Sequence, residues 1–310
     1  MIKKMAIKKF TIIALSFLIL LIVYLFPKKH ETYNFTTNVS YVVSEKMPLY
    51  LILNDSYVSR CNVLKTSDNL NDLIKEVIEN LTIDSNNTNI PKGFKKVIPK
   101  NTKVKDISIS DGLLKINFSK EVLNVSLENE EKMLEAIIYS LTEIKDVNKI
   151  MIFVEGELLK NLPNSKKILP NILDRSYGIN KTYDISSFKD VTKVTTYYVS
   201  KNEDNIYYTP VTSLSNDKKE KIEIIIEKLK SNPTYNTNLV SYLTNEAKLL
   251  QYKILENSVN VSFNNEILSL DNKNIIEEIK YSVALSIKDT YMINETVFYV
   301  DGVLVDAFFV

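Results

Sequence analysis

Two acidic-glycine pairs, Glu155-Gly156 and Asp301-Gly302, are the first residues in this chain to invite a chemical reading. Paired carboxylates could act as general acid and base if each lay within hydrogen-bond reach of a reacting group. The same pairs also suit a turn in which the acid closes the loop and Gly takes a positive φ. The turn is the expected reading. Glu121 and Glu266 each follow a strand-like run and could hold a cation, but a solvated residue or a lock on the strand end is expected instead. Cys61 follows Arg60, and a neighbouring cation lowers a thiol pKa. With no histidine to pair with it, Cys61 is expected to be a surface or half-buried cysteine without a chemical role.

The only His, His30, sits beside Lys28-Lys29 and rules out every two-His metal motif. One Cys rules out an intramolecular disulfide framework and a Cys-based zinc site. Five Gly and no Trp leave little room for glycine-rich phosphate loops. We therefore expect no catalytic, cofactor-binding or metal-ligating residue, and no enzyme. Of the 18 Tyr, those at 41, 50, 57, 197, 198, 207 and 208 occur on strand-like runs. Tyrosine is enriched in protein contacts and in carbohydrate sites and also fills sheet faces, and the sequence does not separate these roles.

The elements that must position these residues fall in a chain of 310, the length of two domains and something more. A hydrophobic fraction of 45% and a charged fraction of 25% are those of a globular protein. The net charge of +1 hides an asymmetry, because residues 1–30 hold six lysines and no acid. The rest carries 33 basic and 38 acidic residues, a net of −5. Such a body has no electrostatic reason to hold nucleic acid.

Phe10–Phe26 is an uncharged run of 17 residues with four lysines before it and two after. At about 1.5 Å per residue it nearly spans a bilayer core of about 30 Å, with lysines snorkelling at its ends. No small-residue cleavage site ends it and no lipoprotein cysteine follows, so a signal anchor is expected rather than a signal peptide. The lysine bias places the N-terminus in the cytoplasm and the body outside the cell membrane.

An internal repeat organises the body. Ile109–Leu123 aligns with Ile254–Leu268, with Phe118 opposite Phe263 and Glu121 opposite Glu266. Each block reads as a hairpin around an acidic turn, Asp111-Gly112 or Glu256-Asn257. Phe153–Leu158 matches Tyr299–Leu304, so the offsets are 145 and 146. Leu70, Leu73, Ile74, Val77, Ile78 and Leu81 form one helical stripe, capped by Asp68 or Ser67. Ile222, Ile225, Ile226 and Leu229 repeat it behind Ser215, with Pro233 as terminator. Leu134, Ile137, Ile138 and Leu141, and then Ile276, Ile279 and Val283, mark a second helix in each copy.

The order per copy reads strand, helix, two strands, helix, strand. The fold class is α+β: two tandem small modules, each with helices on one face of a mixed or antiparallel sheet. The expected division is a tail at 1–9, an anchor at 10–26, a stalk at 27–46, a first module at 47–158, a linker or tucked extension at 159–190, and a second, degraded module at 191–310.

Pro48-Leu49-Tyr50-Leu51, Ile98-Pro99-Lys100, Asp111-Gly112 with Ile116-Asn117-Phe118-Ser119, Tyr139-Ser140-Leu141-Thr142-Glu143 and Val154-Glu155-Gly156 together resemble the GerMN domain, a sporulation and spore germination module. The likeness is weaker in the second copy, where Val240-Ser241-Tyr242-Leu243 and Leu285-Ser286 replace the corresponding segments. It implies an αβ fold like the ring-building modules of secretion systems, and packing among envelope proteins. The expected role is a membrane-anchored, non-catalytic docking module in an envelope complex. The alternative is a module that binds cell-wall glycan or a germination ligand.

Overall fold

The computed structural model describes residues 45–54, 56–83, 90–233, 238–271 and 273–310. The expected tail, anchor and nearly all of the stalk, with His30 and Tyr41, lie outside the described residues. Among those described, no helix is long and apolar enough to cross a membrane.

The first copy opens with a hairpin, β1 (Lys46–Leu53) and β2 (Tyr57–Leu64), followed by α1 (Leu70–Leu81) and the short β3 (Phe94–Lys95). A second hairpin, β4 (Val104–Ser110) and β5 (Leu113–Phe118), leads through α2 (Glu130–Leu141) to β6 (Lys149–Val154) and β7 (Glu157–Leu158). After a segment bearing β8 (Thr182–Asp184), the order repeats. β9 (Thr192–Asn202) and β10 (Asn205–Ser215) form a hairpin; α3 (Lys221–Leu229) and β11 (Leu239–Val240) follow. β12 (Leu249–Ile254), β13 (Ser258–Phe263), α4 (Glu277–Tyr291), β14 (Glu295–Val300) and β15 (Val303–Phe309) complete the second copy.

Two departures from the expected architecture share one cause. The opening strand of each copy is half of a hairpin, and each copy contributes to two sheets rather than one. β3-β1-β2 and β10-β9-β11 join edge to edge in one seven-stranded sheet, which β8 enters in parallel beside β10. The sequence hides this sheet because its inner strands bury both faces. Every residue of Leu49–Leu53 and of Val194–Ser200 is buried, so the alternation that marks a half-exposed strand is missing. Each copy keeps a smaller sheet of its own, β4-β5-β6-β7 and β12-β13-β14-β15.

In both small sheets the central pair is parallel, β5 with β6 and β13 with β14, and the helix between them is the crossover. Helix α2 is that crossover in the first copy and packs against β1 and β2. Ten of its twelve residues are buried, as expected of a helix held between layers rather than at a surface. Helix α4 likewise packs on β9 and β14. Of the stripe residues, Ile74, Val77, Leu134, Ile138 and Leu141 are buried, while Leu73 is half-buried.

The caps also differ from expectation. Asn69, not Asp68 or Ser67, caps α1, its Oδ1 accepting from the amides of Asn71 and Asp72 at 3.0 and 3.2 Å. Ser215 is the last residue of β10, and Glu220 occupies the N-cap of α3. The segment 159–190 is tucked onto the fold, with Leu162, Leu169, Leu173, Arg175 and Ile179 all buried.

Candidate functional site

Glu155-Gly156 and Asp301-Gly302 take φ values of 53° and 88°, and 47° and 80°. Both central residues at positive φ define the tight hairpin turn that matches strand twist. In the first copy it pairs Val154 with Glu157, and in the second Val300 with Val303. Glu155 ion-pairs with Lys105 and accepts the Lys120 amide at 2.9 Å. The Lys105 bond, then the Lys120 amide, hold its carboxyl below the ordinary range.

Asp111-Gly112 takes the same positive-φ turn, whereas neither Glu256 nor Asn257 has a positive φ. Glu121 and Glu266 lie in single 3-10 turns after β5 and β13. A bond from the Ser119 side chain lowers the Glu121 pKa. Cys61 is fully buried on β2 rather than at the surface, and burial pushes its thiol up to about 12, against the pull of Arg60. Among the described residues, no group of three or more His, Cys, Asp or Glu is placed to hold a metal ion. Of these residues the structure brings only Glu121 and Glu155 near one another, around Lys105, whose charge lowers both carboxyls.

It brings others together, at the seam between the copies. Tyr50 on β1 and Tyr197 on β9 are fully buried with their hydroxyls 2.9 Å apart. The amide of Tyr50 donates to Ser140 Oγ of α2 at 2.9 Å, and that of Tyr197 donates to Ser286 Oγ of α4 at 2.9 Å. The repeat offset thus reappears as a local twofold. Glu143, just past the end of α2, and Asp289, in the last turn of α4, complete it.

Carboxylates at helix C-termini oppose the helix dipole, and Arg175 supplies the missing cation to both. Its Nη2 lies 2.7 Å from Glu143 Oε1, and its Nη1 lies 2.6 Å from Asp289 Oδ1. Nε donates to Thr142 Oγ1 at 3.0 Å and Nη2 to the Tyr139 carbonyl at 3.2 Å. The guanidinium stands 4.7 Å from the centre of the Tyr139 ring, a cation–π distance. Burial raises the Glu143 carboxyl, but Arg175 and Lys288 outweigh it and hold the group below the ordinary range. Lys288 Nζ is 3.0 Å from Glu143 Oε2. Two cations thus face two carboxylates.

Five residues along, Asn180 enters the joint between β2 and β10. Its side-chain amide donates to the carbonyls of Val58 at 2.8 Å and Pro210 at 2.7 Å, and its Oδ1 accepts the Val58 amide at 3.0 Å. Pro210 has no N–H to offer a ladder, so a side chain completes the pairing. These named groups are occupied in holding the copies together.

An open groove of about 800 Å³ borders the seam, lined among others by Lys149, Asp174, Arg175, Ser176, Lys193, Lys221 and Asp289. Burial, then the charges of Lys181 and Lys221, lower the Lys193 pKa, and its amine reaches the Ser176 carbonyl. Sequence reasoning gave Arg175, Asp289 and these lysines no role, and quoted Glu143 only within the Tyr139–Glu143 motif. The available signal was Arg175 itself, one of two arginines in a lysine-rich chain and placed between two repeats.

Residues 48–160 and 195–306 each match the Germane family, described as sporulation and spore germination. A curated relative, the spore germination protein GerM of Bacillus subtilis (strain 168), is 30% identical over 206 residues. That match covers 64% of this chain and 56% of the relative's length. Among solved structures, the tandem GerMN domains of the sporulation protein GerM from Bacillus subtilis superpose with a TM-score of 0.76 at 28% identity. That superposition covers 84% of this chain and 92% of the other.

Proposed function

The chain belongs to the Germane family of sporulation and spore germination proteins, and from that premise we propose that it is a non-catalytic docking protein of the cell envelope. In this reading Phe10–Phe26 anchors it in the cell membrane, with the N-terminus in the cytoplasm and the body outside. The two copies then present one preassembled surface to envelope proteins.

The observation that carries the reading is the seam. Arg175 and Asn180, both from the intervening segment, bind both copies at once. At the seam the buried polar groups of Arg175, Ser140 and Ser286 are occupied in holding geometry. A body held rigid before it meets a partner loses less freedom on association, and tethering raises its effective concentration at the membrane. Glycan recognition draws less support. Tyr50, Tyr197 and Tyr198 are buried in the sheet, the groove beside the seam has no tyrosine lining, and a second groove of equal volume has Tyr252 alone.

The test is genetic. Alleles lacking 48–160 or 195–306 should abolish heat-resistant spore formation or germination. Cys61→Ala, Glu121→Ala, Glu155→Ala, Glu266→Ala and Asp301→Ala should each retain it at normal membrane abundance. Loss of function in one of these point variants, with fold and abundance intact, would replace docking with an active or ligand site at that residue.

A further inference from the structure

We propose that the groove beside the seam is a binding site for a phosphate-bearing ligand. Its lysines come from three separate elements: Lys149 opens β6, Lys193 lies near the start of β9, and Lys221 opens α3. The amines of Lys149 and Lys221 have no hydrogen-bond or ion-pair partner among the described residues. Lys193 touches only a backbone carbonyl, that of Ser176.

Arg175 and Asp289 in the lining cancel one another at 2.6 Å. Three lysines therefore face one further carboxylate, Asp174, which accepts the Ser176 amide at 2.8 Å. The lining keeps an excess of two positive charges in a body whose net charge past residue 30 is −5. Like charges gathered in a concavity raise the local concentration of anions.

The donor chemistry narrows the ligand. Lysine is a compact point charge with rotatable donors, suited to the oxygens of a tetrahedral phosphate, whereas paired recognition of a carboxylate favours the planar arginine fork. The one guanidinium in the lining is already engaged by Glu143 and Asp289. The volume of about 800 Å³ lies within the range of about 300–1,000 Å³ typical of small-ligand sites. A sugar phosphate or a stretch of phosphodiester polymer fits that space. The inference stands apart from the docking reading, and neither depends on the other.

Calorimetric titration of the full-length chain with inorganic tripolyphosphate tests it. Saturable binding is expected, weakened by added salt and by about three- to tenfold in each of Lys149→Gln and Lys221→Gln, the effect of removing one nearby charge. Lys115→Gln, an exposed lysine on β5 outside the groove, should leave affinity unchanged. Melting temperatures of all three variants should match the parent. Citrate, a carboxylate of similar charge, should bind at least about tenfold more weakly. The proposal is overturned if tripolyphosphate shows no saturation, if Lys115→Gln weakens binding as much as Lys149→Gln, or if citrate binds equally well.

Discussion

The two glycine turns that close β6 and β14 have nearly the same backbone, yet the chain after them behaves differently. Beyond Gly156 it makes the two-residue β7 and leaves to become the segment that carries Arg175 and Asn180. Beyond Gly302 it runs on as β15, a seven-residue edge strand with Val303, Leu304 and Phe309 exposed at 66%, 59% and 67%. Exposed apolar edge strands are templates for pairing and are usually blunted. The first copy has spent its exit on joining its neighbour, whereas the second keeps an open edge. Duplication preserved the turn and its register; what differs is where each copy sends the chain next.

The largest test of that asymmetry is Arg175→Met. Removing one cation from two buried carboxylates leaves uncompensated charge, at a cost of about 3–5 kcal/mol. Chemical denaturation should show that loss and a second transition, because the copies would melt separately. A single transition with little loss would mean that the sheet alone couples them.

Ser140→Ala and Ser286→Ala sharpen the comparison from inside. Each strands a buried tyrosine amide and should cost about 1–3 kcal/mol. Equal losses support a true local twofold, and a loss confined to one copy breaks it.

Acid provides a third measurement. Glu143 is held ionised below its unfolded range, so its contribution is present above the unfolded pKa of about 4.3 and is lost as pH falls towards the lower folded value. Thermal stability should therefore drop below about pH 4, and Glu143→Gln should flatten that part of the profile. An unchanged slope would remove Glu143 from the account.

The smallest effect is expected at the turns themselves. Glu155→Gln should lower melting only slightly, and that shift should vanish in high salt, because the Lys105 pair is half exposed. Asp301→Asn should do nothing measurable at any salt concentration.

Much of the small sheets was legible. Phe118 and Phe263 held register at the repeat offset, and the stripe from Leu70 to Leu81 forms one helix. Those elements have one wet face, and periodicity is the record of that face. The shared sheet was not legible, because Leu49–Leu53 and Val194–Ser200 are buried on both sides and show no period. Nor was the seam, since Arg175 meets partners 32 and 114 residues away. Such contacts leave no local trace. The N-caps were missed for a smaller reason: Ser67, Asp68 and Asn69 all suit the position, and geometry chose the last.

Antiparallel contact between β2 and its counterpart β10 across a local twofold is the kind of interface that a symmetric homodimer forms. A dimer of identical chains must build such an interface from self-complementary halves, so any residue near the axis appears twice. Fusion into one polypeptide removes that requirement. Glu143 can face Asp289 instead of a second Glu, and one arginine can serve both acids where two would crowd and repel. Arg175 is a residue that only a gene encoding both halves in tandem could place there once, and concentration no longer decides whether the halves meet.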